Sequence, residues 1–356
     1  MTPNEEENEL TPMEENIQPN EEQQPIIEEA EEVPNWQVNQ INLSKVNIAV
    51  DRIKEELHKV IIGQEELLDL LIASIFARGH VLLEGVPGIA KTLTAKLLAQ
   101  TVDVDFSRIQ FTPDLMPSDV IGTTVYNMKT SEFIFSSGPV FSNIILIDEI
   151  NRAPAKTQAA LFEVMEEYQV TVDGTTYPMS YPFFVIATQN PIEQEGTYKL
   201  PEAQLDRFLM KINLHYPNLE EEKSILRRFR SDFNMEKRKE VMTVFSAEEI
   251  KECQEIVEKV HIDDSLLDYI AEIVSSTRSS GDLFLGASPR ASLAILKTAK
   301  AMAAMASRDF VTPEDIQYVA YPVLNHRIIL TPEREMEGVD TKSVIQDIVK
   351  KIEVPR

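Results

Sequence analysis

The stretch VLLEGVPGIAKTLTAKLLAQ, residues 81–100, decides the fold of this chain. The short apolar run VLLE predicts a strand, GVPGIAKT is a loop with two glycines, and LTAKLLAQ has the apolar spacing of a helix. A loop in this context is typical of phosphate binding, because glycines let backbone N–H groups turn toward an anion at a helix N-terminus. We expect Lys91 to place its charge on the β and γ oxygens of a nucleotide and Thr92 to offer its hydroxyl to Mg²⁺.

Ala90 departs from the general form of this loop, because it replaces the last glycine before the lysine. The loop alone would also fit a chance glycine-containing turn, and the strand and helix around it make that interpretation the poorer one. The residues expected to contact the nucleotide from the loop and its helix are Gly85, Val86, Pro87, Gly88, Ile89, Ala90, Lys91, Thr92 and Leu93.

Short apolar runs alternate with helical patterns in the first two thirds of the chain, which predicts an α/β fold with a parallel sheet. We expect a core of residues 39–217 and, where the signals become entirely helical, an all-α lid domain of residues 218–356. The five predicted core strands are residues 81–84, 106–111, 144–148, 183–188 and 208–214.

Two further segments alternate between apolar and polar residues and predict hairpins rather than core strands. Residues 170–177 alternate around an Asp173-Gly174 turn, and residues 124–135 alternate around a polar tip. Each hairpin is expected to project from the sheet.

The apolar run IILIDE ends in Asp148 and Glu149, at the edge of the sheet where open α/β folds bind their ligands. We expect Asp148 to hold Mg²⁺ through water and Glu149 to orient and polarise the attacking water, because phosphoryl transfer depends mainly on positioning and charge compensation. A solvated strand end is the alternative, and it is weak after four aliphatic residues.

Another strand, FFVIATQNP, ends in Asn190, which is expected to reach the γ-phosphate as a sensor. The alternative role of Asn190 is that of an Asn-Pro turn former.

Two arginines are candidates for phosphate contacts. Arg290 falls in the first turn of a helix that Ser288 caps, where the helix dipole disfavours a cation. An anionic partner removes that conflict, so we favour a nucleotide-phosphate contact from the lid over a surface arginine. Arg207 precedes the fifth strand, at a rim from which it could act as an arginine finger on a neighbouring subunit's γ-phosphate. A local salt bridge with Asp206 or Glu202 explains Arg207 equally well.

The 356 residues carry a formal net charge of −25 that is unevenly distributed. Residues 1–44 hold twelve Glu and no Lys or Arg, which leaves −13 for the remainder. We predict that residues 1–38 form a disordered acidic tail, because low hydrophobicity and one-signed charge cannot offset the entropy of ordering.

No segment resembles a signal peptide or a membrane span, so we expect a cytoplasmic protein. The single cysteine, Cys253, lies in a helical apolar pattern that favours a buried structural thiol, and the five histidines show no metal-ligand spacing.

Five motifs, in this order and spacing, resemble the MoxR family of AAA+ ATPases over roughly residues 45–335. They are IIGQ, GVPGIAKT, LIDEINRAP, ATQNPIEQEGTYKLPEAQLDRF and GASPRA. The segment of residues 190–208, together with the preceding DEINRAP, is highly specific to that family and its chelatase relatives. Ala90, which departs from the general loop, is similar to what MoxR-like sequences carry.

The resemblance implies an AAA+ P-loop NTPase core with a lid, binding ATP and Mg²⁺. It also implies that the hairpin of residues 124–135 is the helix-2 insert and that of residues 170–177 the pre-sensor-1 hairpin. The roles implied for single residues are sensor 1 for Asn190, arginine finger for Arg207, sensor 2 for Arg290, and lining of the adenine pocket for Ile61, Ile62 and Gly63.

The MoxR family forms ring oligomers, usually hexamers, and commonly works with partners that carry a von Willebrand factor A domain. The resemblance therefore implies a chaperone-like ATPase that activates protein partners, for example in metal insertion or complex assembly. The two alternatives are an AAA+ motor on nucleic acid and a non-hydrolysing ATP-gated scaffold. The remaining charge of −13 and the lack of a clustered basic stretch argue against a nucleic-acid partner. The intact set of Lys91, Asp148, Glu149 and Asn190 argues against the scaffold.

Overall fold

The computed structural model of the protein describes residues 41–86, 88, 89, 91–191, 198, 200–230 and 241–355. The acidic segment of residues 1–38 lies outside the described residues, so its disorder stays a prediction. Two residues of the expected nucleotide set, Pro87 and Ala90, also lie outside them. No helix within the described ranges combines the length and the apolar character that crossing a membrane requires.

A five-stranded parallel sheet forms the centre of the described part of the chain. In chain order its strands are β1 (Val81–Glu84), β2 (Phe106–Gln110), β3 (Ile144–Asp148), β4 (Phe184–Gln189) and β5 (Met210–Asn213). Their spatial order is β5-β1-β4-β3-β2, so β4 lies between the strand that enters the glycine loop and the strand that ends in the acidic pair. All five predicted core strands are confirmed, with ends shifted by one or two residues at most.

Both faces of the sheet are covered. Along β1, Val81 and Leu83 belong to one hydrophobic core, whereas Leu82 between them belongs to a second core on the opposite face. None of these three side chains is exposed to solvent. Burial on both faces explains why the core strands are continuous apolar runs rather than alternating ones.

Helices cover the two faces and continue into a helical lid. In chain order, the helices of the described residues are α1 (Ser44–His58), α2 (Glu65–Phe76), α3 (Lys91–Gln100), α4 (Pro117–Ile121), α5 (Ala155–Glu167), α6 (Glu202–Leu205), α7 (Leu219–Phe229), α8 (Ala247–Glu258), α9 (Asp264–Ser279), α10 (Pro289–Met305), α11 (Pro313–Leu324), α12 (Pro332–Met336) and α13 (Thr341–Lys351). Helix α5 packs into the second core, while α1, α2 and α3 pack into the first.

The lid helices extend the first core. Helices α8 and α10 pack against α2, which leads directly into β1. This contact seats the lid on the face of the sheet that α2 covers. The helical lid is confirmed, with short strand pairs that periodicity is too coarse to predict; the domain boundary at residue 217 stays a prediction. These pairs are Val102–Asp103 with Phe245–Ser246, and Leu283–Leu285 with Ile329–Leu330.

Both predicted hairpins are present, and they pack against each other. The ring of Phe135 stacks on Tyr177 with centroids 4.3 Å apart, and the hydroxyl of Thr124 donates a hydrogen bond to Asp173. Asp173 and Gly174 both have positive φ, as this kind of hairpin turn requires. The paired strands are Gly122–Asn127 with Glu132–Ser137, and Gln169–Val172 with Thr175–Pro178.

The cysteine prediction is also confirmed. Cys253 lies on α8 with no exposed surface. Burial raises the pKa of its thiol to about 12, so the thiolate needed for nucleophilic chemistry is disfavoured.

Candidate nucleotide-binding site

The loop between β1 and α3 needs glycine at two positions for two different reasons. A Cβ on Gly85 would lie 2.5 Å from Cδ1 of Ile89 and 3.0 Å from Cβ of Leu214, so a side chain there would force its neighbours to shift. Gly88 has φ of +88°, a conformation that other residues rarely adopt. Ile89 is buried in the first hydrophobic core and Val86 packs partly against the same core, so these two side chains anchor the loop.

Helix α3 begins with the two residues that were expected to contact phosphate and metal. The ammonium group of Lys91 donates to the carbonyl oxygens of Gly85 and, at 3.1 Å, of Gln189. It therefore lies over the loop and bridges the ends of β1 and β4. Thr92 and Leu93 follow in the same helical turn and line the same cavity as Lys91.

The carboxylate of Asp148 is held by donors from three elements. It is buried at the end of β3, with 4% of the residue exposed. Oδ1 accepts from the hydroxyls of Thr92 at 3.0 Å and Thr188 at 3.3 Å, and Oδ2 accepts from Nε of Arg108 at 2.7 Å. The structure thus brings together Thr92 and Asp148, the two residues expected at the metal.

The chemistry of these two side chains fits Mg²⁺. A hydroxyl and a carboxylate are hard oxygen donors, and Mg²⁺ bound with a nucleotide takes one or two protein oxygens together with phosphates and waters. Within the described ranges, no group of three or more His, Cys, Asp or Glu side chains is placed to hold a metal. A nucleotide-bound Mg²⁺ does not need such a group, because phosphate oxygens complete its coordination.

Glu149, which follows β3, has a strained backbone conformation. Its φ of +58° is left-handed, which costs energy in a non-glycine residue and recurs at functional sites. Its N–H donates to the hydroxyl of Thr188 at 3.0 Å. Its carboxylate accepts from the side-chain amide of Gln110 at 2.7 Å and lies 3.2 Å from Nε of Arg152. Glu149 and Gln110 both line the cavity beside the phosphate loop.

Asn190 follows β4 and is placed between the loop and the acidic pair by the strand order. Only 6% of the residue is exposed. It lines a cavity of about 490 Å³ together with Lys91, Thr92, Asp148 and Glu149. Five residues expected from three separate stretches of sequence therefore meet at one site, at the C-terminal edge of the sheet.

The segment expected to line the adenine pocket lies against the phosphate loop. The side-chain amide of Gln64 donates to the carbonyl oxygen of Ile89 at 3.3 Å. Just before it, Gly63 has φ of +67°, Ile61 is buried and Ile62 is half-buried. The contact of these residues with adenine stays a prediction.

The two expected arginines lie together, and away from this cavity. Nη2 of Arg207 is 2.8 Å from Oε2 of Glu166, and Nη2 of Arg290 bonds to the other oxygen of the same carboxylate. They line a separate cavity of about 250 Å³ with Gly79 and His80, which immediately precede β1. We call Arg207 and Arg290 the arginine pair; it lies at the N-terminal edge of the sheet.

Arg290 is therefore distant from the cavity that holds Lys91 in its own subunit, and its contact with a nucleotide phosphate stays a prediction. Glu166 lies in the last turn of α5, which starts near Glu149, and thirteen helical residues span about 20 Å. The physical cause is the lid: because α10 packs on α2, its first turn faces the start of β1 rather than the end. Arg207 forms a salt bridge with Glu166, a partner that differs from the two considered for it in the sequence, Asp206 and Glu202.

Sequence reasoning missed four residues around these sites. Arg108 and Gln110 stand two positions apart at the end of β2, and Thr188 stands two positions before Asn190. Polar residues spaced by two at the end of a strand share one face, and that signal could have identified them. Glu166 is one of several glutamates in a helical pattern, and the sequence carries no signal that singles it out.

Comparisons with known proteins agree with this geometry. Residues 80–210 match the family model "ATPase family associated with various cellular activities (AAA)", and residues 275–348 match "AAA lid domain". The chain is 47% identical over 301 residues to the protein YeaC of Bacillus subtilis (strain 168), which spans 85% of this chain and 93% of that protein. It is 43% identical over 316 residues to Chaperone MoxR1 of Mycobacterium tuberculosis, and this match covers 86% of this chain and 82% of that protein. A crystal structure of a Cytophaga hutchinsonii protein matches with a TM-score of 0.79 and 48% identity, over 88% of this chain and 97% of that chain.

The parallel sheet, the glycine loop and the lid define the class of this protein as AAA+. The similarity to Chaperone MoxR1 extends over most of both chains, and it narrows the assignment from the AAA+ class to one family within it. The chain belongs to the MoxR family of AAA+ ATPases. Both the fold class and the family resemblance seen in the motifs are confirmed.

Proposed function

We propose that this chain hydrolyses ATP, with Mg²⁺, at sites shared by adjacent subunits of a homo-oligomeric ring, which the family resemblance implies is a hexamer. One subunit contributes Lys91, Thr92, Asp148, Glu149 and Asn190, and the next subunit contributes the arginine pair. One observation carries the proposal: the residues for binding and water activation line a cavity at one edge of the sheet, while the arginines meet at the other edge.

A ring makes these two edges neighbours. In a head-to-tail interface, one surface of a subunit meets a different surface of the next, and the series closes on itself. The side chains of Arg207 and Arg290 are 29% and 50% exposed, so both can reach a phosphate presented by an adjacent subunit. An arginine delivered in this way contributes about 10³ to 10⁵ in rate.

Each residue of the phosphate cavity has a definite task in this proposal. Lys91 exchanges its two carbonyl partners for phosphate oxygens, and the backbone N–H groups of the loop hold the β-phosphate. Glu149 orients the attacking water, and Asn190 fixes the γ-phosphate from the side. Mg²⁺ held by Thr92 and, through water, by Asp148 would add positive charge at the phosphate oxygens.

We further propose that the ring acts on protein partners as a chaperone-like remodeller. The hairpin of residues 122–137 exposes apolar side chains that a protein surface can cover: Tyr126 is 49%, Met128 88% and Phe133 75% exposed. Loss of the γ-phosphate removes a charge that core, lid and neighbour share, so their relative positions change and the hairpins move. The name of the relative Chaperone MoxR1 supports this role. Following the family resemblance, the partner would carry a von Willebrand factor A domain, and the outcome would be metal insertion or complex assembly.

Glu149→Gln tests both parts of the proposal. The variant should bind ATP as the wild type does and release phosphate about 10² to 10⁴ times more slowly, because the attacking water loses its base. Held in the ATP state, it should retain protein clients during purification. Glu272→Gln, an exposed change on α9, is the matched control and should behave as the wild type.

Two results would contradict the proposal. Wild-type phosphate release by Glu149→Gln would remove the catalytic assignment. Recovery of nucleic acid in place of protein with the trapped ring would replace the partner class by the nucleic-acid motor.

A further inference from the structure

The carboxylate of Asp206 joins the core to the lid between the two arginines. Its Oδ1 accepts from Nε of Arg327, which follows α11, at 2.7 Å. Its Oδ2 accepts from the hydroxyl of Ser288, at the start of α10, at 2.8 Å. Asp206 immediately precedes Arg207 in sequence, and Ser288 stands two residues before Arg290. Through these two bonds, the carboxylate next to Arg207 in sequence is tied to the start of the helix that carries Arg290 and to Arg327.

Arg327 fixes the turn that carries Arg207. Its guanidinium is almost completely buried, with 3% of the side chain exposed. It donates to the carbonyl oxygens of Asp206 at 3.2 Å, Leu209 at 3.1 Å, and also Phe208. A buried guanidinium that bonds three carbonyls of one short turn holds that turn in a single conformation.

Ser288 fixes the start of the helix that carries Arg290. Its hydroxyl oxygen accepts from the backbone N–H of Arg290 at 3.2 Å, as an N-cap does, while its hydrogen goes to Asp206. The first turn of α10 therefore cannot shift along the core without breaking the bond to Asp206.

We propose that Asp206 is a positioning residue that sets the distance between Arg207 and Arg290 as both reach the neighbouring subunit's γ-phosphate. This inference rests on the proposed function, in which the arginine pair acts in trans. The two arginines come from different parts of the molecule, a core turn and a lid helix. The carboxylate makes the two parts move as one when they engage a phosphate.

The sensitivity of phosphoryl transfer to geometry explains why such a device matters. A displacement of about 1 Å of a catalytic group can cost roughly 10² in rate. Glu166 cannot fix the spacing in the active state, because the arginines must exchange its carboxylate for phosphate. The bonds of Asp206 to Arg327 and to Ser288 do not involve Glu166, so they can persist through the exchange.

Asp206→Asn is the direct test, read in phosphate release and in ADP affinity. We expect phosphate release to fall about 10²-fold, because the arginines lose their relative position. ADP affinity should stay at the wild-type value, because the phosphate cavity lies at the opposite edge of the sheet. Asp282→Asn is the matched control: it breaks the pair with Arg334, 2.8 Å long and also in the lid, and should leave both readings unchanged.

Mixed rings separate a positioning role from a merely structural one. Lys91→Ala subunits keep an intact arginine edge and have no lysine for their own nucleotide. When they are mixed in equal amounts with Asp206→Asn subunits, half of the Asp206→Asn sites should receive an intact arginine pair. Phosphate release per Asp206→Asn subunit should then recover to about half the wild-type value. Recovery requires a folded phosphate cavity in the variant, so it also excludes a general folding defect.

Two outcomes overturn the inference: wild-type release by Asp206→Asn alone, or a slow variant that Lys91→Ala subunits do not rescue. If Asp206→Asn does not fold, Asp206→Glu keeps the charge and lengthens the side chain by one methylene, and the same two outcomes apply to it. Arg207→Ala, measured alongside, identifies which proposal has failed. If Arg207→Ala releases phosphate at the wild-type rate, the shared site itself is wrong; if it is slow while Asp206→Asn is not, only the positioning role is wrong.

Discussion

The two edges of the sheet carry the two groups of residues that we propose act together, and at each edge charged side chains pair with local partners. At the C-terminal edge, Asp148 pairs with Arg108 at 2.7 Å. At the N-terminal edge, Arg207 and Arg290 share Glu166. In the proposed function the arginine pair exchanges Glu166 for phosphate when a neighbouring subunit presents a nucleotide.

The two edges differ in the structural elements that position their residues. The residues of the C-terminal edge follow the ends of adjacent strands, so the sheet itself fixes their spacing. The arginine edge joins a core turn to a lid helix through side chains, with Asp206 at the junction. We therefore expect the first edge to tolerate changes in the lid, and the second to respond to them.

The largest expected effect is at the arginine edge. Arg207→Ala should lower phosphate release by about 10³ to 10⁵, because the γ-phosphate loses the guanidinium that compensates its charge. ADP affinity should not change, since Arg207 does not line the phosphate cavity of its own subunit. Arg334→Ala, a lid arginine paired with Asp282, is the control. A loss of phosphate release below tenfold would contradict the role of the arginine edge in hydrolysis.

The next effect is at the C-terminal edge and concerns the metal. In Asp148→Asn, the gain in nucleotide affinity that Mg²⁺ provides should fall by about 10- to 100-fold, as when an outer-shell partner of a metal is lost. Calorimetric titration of ADP with Mg²⁺ and with EDTA measures this gain. Asp103→Asn, an exposed change outside the cavity, should retain it. An unchanged gain in Asp148→Asn would show that the carboxylate does not serve the metal.

The smallest effect concerns stability. His80 is buried between the carbonyl of Met165 and the N–H of Val185, each at 3.1 Å, and burial lowers its pKa to about 4. The unfolded chain, with a histidine pKa of about 6.5, binds more protons between these values, so the free energy of unfolding falls as pH decreases through that window. Between pH 7 and pH 5 this amounts to about 2 kcal/mol.

His80→Gln should lack that increment, and urea unfolding at the two pH values measures it. Exposed His215→Gln is the control and should keep the wild-type pH dependence. An equal pH dependence in all three proteins would exclude His80 as its source.

Much of the fold and the C-terminal edge could be predicted because the signals are local. Lys91 and Thr92 follow a strand and a glycine loop, Asp148 and Glu149 end an apolar run, and Asn190 ends another. The ends of parallel strands meet at one edge, so local patterns were enough to bring these residues together.

The arginine edge could not be predicted in the same way. Its geometry depends on which face of the sheet the lid occupies, and that follows from the packing of α8 and α10 on α2. The capped helix start at Ser288 was visible in the sequence, whereas the direction in which Arg290 points was not. The bonds of Asp206 and Glu166 connect residues about 40 to 120 positions apart, and no periodicity reports such contacts.

The central claim is that one active site is assembled from two subunits, and mixing two inactive variants tests it most directly. Lys91→Ala subunits lack the phosphate lysine, and Arg207→Ala subunits lack the arginine finger. We predict that neither releases phosphate alone, and that an equal mixture does, because half of the Arg207→Ala cavities face an intact arginine edge. A mixture that assembles with Mg·ATP yet stays as inactive as its components would contradict the claim.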